Sequence, residues 1–344
     1  MRADELDPEI AAVVDEIEAL GLPDWHALSV DAARRVEDEV FSGDPEPPVA
    51  DVRDLAFDGP HGEVPVRVYR PEAALGGTTD RAGDGDTAGD IDAETDAGAR
   101  TLVHFHGGGW TLGTLDSIDG PCRELATRAD AVVVSVDYRL APEHPFPAAV
   151  DEAAAAVAWV ARNAAALGGD PGRLGVSGTS AGGTLALAAA LHAREFGAGP
   201  SGAEPAGAEP PEIAGQFLLY PIAGRDFGTD SYRENADGPL LTRADMRWFF
   251  DSYLRSPVDA YNPFAVPLRA DDLGDLPPAT VVTAGFDPLR DDGVALAERF
   301  EREGTPVEHR HYPAMAHGFC SLADRVGAAE AALSAVATDV RDRL

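Results

Sequence analysis

Not one of the 344 residues is a lysine, and only two are cysteines and three methionines. All 27 basic side chains are therefore arginines; they face 60 carboxylates, for a formal charge of −33. Each scarcity excludes something. Cys122 and Cys320 cannot build a disulfide framework, and without clustered partners they make a poor zinc site, so both read as ordinary thiols. A charge this negative repels polyanions, which argues against nucleic acid and anionic membrane surfaces as partners. No run of about 18 apolar residues is present, so no membrane span is expected. The segment Met1-Arg-Ala-Asp-Glu-Leu-Asp7 is acidic and has no apolar core of the kind a secretory signal needs, so a cytoplasmic location is expected. Self-repulsion destabilises such a chain unless salt screens it; at 1 M salt the Debye length is about 3 Å. Abundant acid with no lysine points to a salt-rich host, and stability should rise from dilute buffer to molar salt.

What is present suffices for one large core: 44% of the residues are hydrophobic. Ile10, Val13, Val14, Ile17 and Leu20 recur at helical spacing until Gly21 and Pro23 break it, and a second helix is expected over about 30–41. Asp44 to Pro48 is a proline-rich link. Val64 to Arg70 alternates apolar and polar residues as a strand does. The runs at 101–106, 131–136, 173–177, 216–220 and 280–284 read as strands, several of them continuously apolar as buried parallel strands are. Helices are expected at about 120–129, 148–167, 181–195, 291–303 and 323–343. This alternation predicts an α/β fold, a mostly parallel sheet with helices on both faces, in a single domain over 1–344. Residues 76–99 and about 197–211 are low-complexity tracts, read as disordered loops whose length costs little.

Two glycine-rich motifs follow predicted strands. Gly178-Thr179-Ser180-Ala181-Gly182 lies between a strand and a helix, the context of a nucleophile elbow. His106-Gly107-Gly108-Gly109-Trp110 ends another strand and offers backbone N–H groups that no side chain obstructs, as an oxyanion hole requires. The rival reading, a phosphate cradle, wants a lysine that is absent. A serine hydroxyl needs a base. Of nine histidines, His26, His61, His144 and His192 read as turn or surface residues. His104 and His106 share one side of a strand and brace the loop, and His309 and His311 alternate on a late strand. No HExxH pattern supports a metal site. His317, in a loop before the last helix, is the candidate base. The acid should fall between serine and histidine, and Asp287 does, just past the strand 280–284. Asp291 and Asp292 read instead as acids favouring the start of the next helix.

In these motifs the chain resembles the hormone-sensitive-lipase-like esterases over about Val64 to Phe319. The resemblance rests on HGGGW, Val136-Asp-Tyr-Arg-Leu-Ala-Pro-Glu-His-Pro-Phe-Pro-Ala-Ala149, the GTSAG elbow, Tyr220-Pro221, Asp287-Pro-Leu-Arg-Asp291 and His317-Gly-Phe319. It implies an α/β-hydrolase fold and cleavage of small-molecule carboxylic esters, usually short-acyl ones, without cofactor or metal. Ser180, Asp287 and His317 would then be the triad. Gly108, Gly109 and Ala181, with Gly107, would hold the oxyanion. The resemblance also implies a helical cap from 1–45 and about 225–260, including a helix at Arg243–Leu254. There Met246, Trp248, Phe249 and Phe250 are candidates for an acyl pocket or for cap core. Many members carry Asp where this chain has Thr179. An amidase or lactonase would use the same triad. A ligand-binding receptor on this scaffold would typically have lost a triad member, and here all three positions are filled. A homodimer is compatible with the sequence.

Overall fold

A computed structural model of the protein describes residues 1–42, 47–75, 98–197 and 211–344. The two low-complexity tracts fall almost wholly outside these residues, as does most of the proline-rich link. Among the described residues eight strands form one sheet: β1 (Asp51–Gly59), β2 (Gly62–Arg70), β3 (Ala99–Phe105), β4 (Ala131–Val136), β5 (Gly169–Thr179), β6 (Gly215–Leu219), β7 (Ala279–Phe286) and β8 (Val307–Ala316). Their order is β1-β2-β4-β3-β5-β6-β7-β8. β1 pairs antiparallel with β2, and β2 antiparallel with β4; every other neighbour is parallel. The carboxyl ends of β3, β5, β7 and β8 thus open on one edge of the sheet, where ligand sites of such folds gather.

The helices are α1 (Pro8–Ala19), α2 (Val30–Phe41), α3 (Asp119–Ala129), α4 (Ala148–Leu167), α5 (Ala181–Phe196), α6 (Asp230–Glu234), α7 (Arg243–Tyr253), α8 (Arg290–Glu303) and α9 (Gly327–Arg343). Two apolar layers sandwich the sheet, and the strands feed them alternately. Val103, Phe105, Val132 and Val134 face the layer of α4, α5 and α8. Leu102, Ala131 and Val133 face that of α3 and α9. This two-residue alternation is the pleat itself.

Local chemistry sets the helix ends. Asp7 caps α1, accepting from the Glu9 N–H at 2.9 Å with Pro8 in the first turn. Thr242 and Asp245 form a reciprocal capping box on α7, with bonds of 3.1 and 2.9 Å. α4 and α8 stop at Gly168 and Gly304, both at φ near +90°, where glycine is unstrained.

The sequence reading needs four corrections. β1 was not anticipated. It is an edge strand carrying Asp51, Arg53, Asp54 and Asp58, and only Phe57 on it is buried, so it shows no apolar alternation. β3 starts at Ala99, inside the stretch read as loop. The last helix begins at Gly327, after a short 3₁₀ turn over Phe319–Leu322. His192 sits half-buried on α5, its ring 5.0 Å from that of Phe196, instead of in a turn or on a polar surface.

Candidate active site

Ser180 occupies the junction of β5 and α5 at φ 53°, ψ −116°, a conformation non-glycine residues rarely adopt. The turn is held by its neighbours. A Cβ on Gly178 would lie 2.1 Å from the Gly182 carbonyl oxygen, and one on Gly182 would lie 1.9 Å from that of Phe105. Backbone fills the space where side chains would be, so only glycine fits at either position. The Ser180 N–H donates to the Leu219 carbonyl at 2.8 Å, which ties the elbow to β6.

Three strand ends converge here. His317 follows β8, and its Nε2 lies 3.0 Å from Ser180 Oγ. Asp287 follows β7, and its Oδ2 lies 2.8 Å from His317 Nδ1. The carboxylate is fully buried, and its Oδ1 accepts from the Leu289 N–H at 2.8 Å. With Nδ1–H donating to Asp287, Nε2 is left to accept from the serine hydroxyl, the tautomer these contacts favour. Asn235 supports the acid from behind: its Nδ2 donates to the Asp287 backbone carbonyl at 3.1 Å. The Tyr220 ring packs edge-on to the His317 ring at 4.9 Å.

The loop after β3 passes beside the serine. A Cβ on Gly107 would lie 3.5 Å from Ser180 Cβ. Gly108 and Gly109 have φ of +95° and +58° and pack against Leu112 and the Phe249 ring. Among the described residues, the amides of Gly107, Gly108 and Gly109 donate to no backbone carbonyl. Ala181 is the first residue of α5, where an N–H has no acceptor within the helix. The loop is braced underneath. His106 stacks on Tyr138 at 4.2 Å and holds the Gly107 carbonyl through Nδ1 at 2.8 Å, while the Tyr138 hydroxyl donates to the His106 carbonyl at 2.8 Å. Burial pushes the two strand histidines down, His104 to about 3 and His106 to about 4, so both stay neutral as braces.

Over the site lies a cavity of about 270 Å³, lined by Ser180, His317, the glycine loop and apolar side chains of α1, α2 and α7. Met246 and Phe249 line it. Phe250 instead packs on Trp110, with ring centres 5.4 Å apart, and Trp248 on Phe249 at 5.1 Å. Asp292 stands at the start of α8, as the sequence reading has it, and is buried there, only 3% exposed. Its Oδ2 accepts from the Gly224 N–H at 2.9 Å. Burial, with Asp287 nearby, pushes its carboxyl up to about 7. Asn235, Asp292 and Glu37, a buried residue of α2 that lines the cavity, were not singled out for these roles in the sequence. Each depends on a partner far away in the chain, and only the glycine pattern gave a local signal. Among the described residues no group of three or more His, Cys, Asp or Glu side chains could hold a metal ion, and no helix is long and apolar enough to cross a membrane.

Comparisons with known proteins agree with this architecture. The family described by the α/β-hydrolase fold matches residues 102–321. The chain is 40% identical over 332 residues to Esterase LipI of Mycobacterium tuberculosis, covering 94% of this chain and 91% of that protein. It is 32% identical to an arylesterase of Saccharolobus solfataricus over 88% of both chains. The solved esterase of Pyrobaculum calidifontis superposes with a TM-score of 0.81 at 33% identity, covering 98% of each chain. On these grounds the chain belongs to the hormone-sensitive-lipase-like α/β-hydrolases and is a carboxylesterase-type hydrolase.

Proposed function

We propose that the chain cleaves carboxylic esters through an acyl-enzyme on Ser180, with His317 as base and acid and Asp287 as its orienting partner. The observation that carries this reading is the unbroken relay of 3.0 and 2.8 Å from Ser180 through His317 to Asp287, beside glycine amides that have no backbone acceptor. His317 takes the hydroxyl proton as Oγ attacks the ester carbonyl, and Asp287 offsets the imidazolium charge. In this reading the N–H groups of Gly107, Gly108, Gly109 and Ala181 stabilise the oxyanion, each worth about 3–4 kcal/mol of barrier. The C–O bond then breaks and the alcohol leaves with the His317 proton. Water repeats the sequence on the acyl-enzyme, returning the acid and free Ser180.

The segments 1–45 and about 225–260 act in this reading as a cap, since their described residues, from α1, α2, α7 and the connecting residues 22–25 and 239–241, supply most of the apolar wall over the serine. We further infer adaptation to high salt from −33 charges and the absence of lysine; a salt-rich cytoplasm suits such a chain. The test of the mechanism is hydrolysis of a p-nitrophenyl ester in molar salt. Ser180→Ala should lower kcat by about 10⁴-fold or more. Equal turnover by the two proteins would end the assignment.

A further inference from the structure

Among the described residues that line the cavity, Glu37 is the acid with a buried carboxyl oxygen that lacks a hydrogen-bond partner. Val36, Glu37, Val40 and Phe41 of α2 all line the cavity, and Glu37 is the acid on an otherwise apolar face. Its side chain is buried, with the residue 8% exposed, and Oε2 has no hydrogen-bond partner. The Ser117 hydroxyl and the Gly113 N–H lie near enough to favour its anion, yet desolvation outweighs them and pushes the carboxyl up to about 7. A buried acceptor without a partner is costly, and a ligand that supplies the missing donor would remove that cost.

The surroundings decide what kind of ligand. Among the described residues Glu18, Asp24, Glu37 and Asp245 all line the cavity, and no arginine does. Asp245 is already engaged by the Thr242 N–H and hydroxyl and by His26. Glu37 therefore borders the cavity with one oxygen, Oε2, buried and unpartnered, in a field of one sign. Such a wall attracts a cation and resists a carboxylate. An uncharged hydroxyl could fill the orphaned position, but it would leave the negative field uncompensated.

We propose that Glu37 is a specificity-determining residue that selects esters carrying a protonated primary amine on the acyl or alcohol arm lying against α2. The proposal rests on the serine-hydrolase reading above and names a substrate class for that same site. An ammonium would supply the missing donor to Oε2 and be held as a buried charge pair, bonds an isosteric alkyl arm cannot make.

The experiment uses p-nitrophenyl ω-aminoalkanoates of graded length, each beside the alkanoate with methyl in place of ammonium and the corresponding ω-hydroxyalkanoate. Aminoalkyl acetates probe the alcohol arm. Molar potassium chloride screens surface steering, so discrimination reports on the buried pair. The readout is the ratio of kcat/KM for amine ester to alkyl ester. At the matching length the wild type should prefer the amine ester, and Glu37→Gln and Glu37→Leu should lower the ratio by about 30-fold or more. A wild type that prefers the alkyl or hydroxyl ester, or a preference that survives both substitutions, would overturn the proposal. If neither variant folds, wild-type inhibition decides. Alkylammonium ions of matching length should compete with p-nitrophenyl acetate, and the isosteric alcohols should not; equal inhibition would overturn it too. Hydrolysis of that acetate by Ser180→Ala separately reports on the serine mechanism, so failure of the two readings is distinguishable.

Discussion

Two regions meet at Ser180, the strand ends beneath it and the helices over it, and they are built on opposite plans. Beneath, backbone touches backbone. Gly178 and Gly182 admit no added carbon, Gly107 lies against the serine, and Asp287 is held by the Leu289 N–H and the Asn235 side-chain amide as well as by His317. Above, side chains do the covering. Val36, Val40 and Phe41 are only half-buried, and residues 1–42 carry twelve carboxylates against three arginines. The turn that seats Ser180 is thus fixed by backbone that substitution cannot adjust, while the cavity above it is walled by side chains that can change without disturbing that turn.

The largest effect that could break this contrast is expected at Gly182. Its missing Cβ would overlap the Phe105 carbonyl at 1.9 Å, so Gly182→Ala must push β3 and α5 apart. We expect a loss of about 3 kcal/mol or more in urea melts and activity near background. Gly304 is the control. It has φ +90° but nothing within 4 Å of its Cβ position, so Gly304→Ala should cost only about 1 kcal/mol and keep turnover. Equal effects at the two sites would mean that close approach is not what locks the elbow.

Salt should separate the same two regions. Moving from molar salt to dilute buffer restores repulsion among the acids of α1 and α2, while α5 is buried and almost free of charge. The melting temperature should fall in dilute buffer. Hydrogen exchange should accelerate more in α1 and α2 than in α5. A salt-independent melt would reject the adaptation, and uniform acceleration would reject the division into rigid floor and loose cover.

The floor was the more legible region, and for the same physical reason that it is rigid. A strand buried on both faces must be apolar, and a turn where backbones touch must be glycine, so residues 101–110 and 173–183 announce themselves locally. The order serine, acid, histidine then selected Asp287 and His317 from a chain rich in both residue types. What stayed hidden depends on distant neighbours. β1 exists because β2 offers an edge through the Gly59–Gly62 turn, not because its own charged sequence demands a strand. Asp292 has the sequence position of an acid at a helix start, and its burial against Gly224, 68 residues away, is set by the fold. Glu37 shares a helical face with Val36, Val40 and Phe41, but nothing local distinguishes it from the exposed Asp38 and Glu39 beside it.

Asp292 gives the next prediction, intermediate in size. Its carboxyl sits at about 7 in the folded protein against 3.8 ordinarily, so between these values the folded state holds a proton that the unfolded state has released. Stability from this group is therefore present at low pH and lost as pH rises through about 7. Asn can still accept from the Gly224 N–H and cannot ionise. Asp292→Asn should flatten the decline and gain on the order of a few kcal/mol at alkaline pH relative to wild type, read by denaturant melts across pH. Glu37 contributes a decline of the same sign, so some slope should remain. An unchanged slope in Asp292→Asn would show that burial at the floor does not set this carboxyl's ionisation.

The smallest effect is expected in the cover. Val40 is half-buried and lines the cavity from α2. Val40→Ala removes two methyl groups from that wall. At about 0.8 kcal/mol per buried carbon, discounted for partial exposure, this is roughly 1 kcal/mol of contact with a long acyl chain, or about fivefold in rate. The kcat/KM ratio of a long to a short acyl ester should fall by that factor, with less than about 1 kcal/mol lost in stability because the site is not sealed. A ratio that does not move would mean that α2 shields the site without touching substrate. The contrast between a floor that reacts and a cover that selects would then fail on its weaker side, and Glu37, one residue along the same face from Val36, would lose its reason for being there.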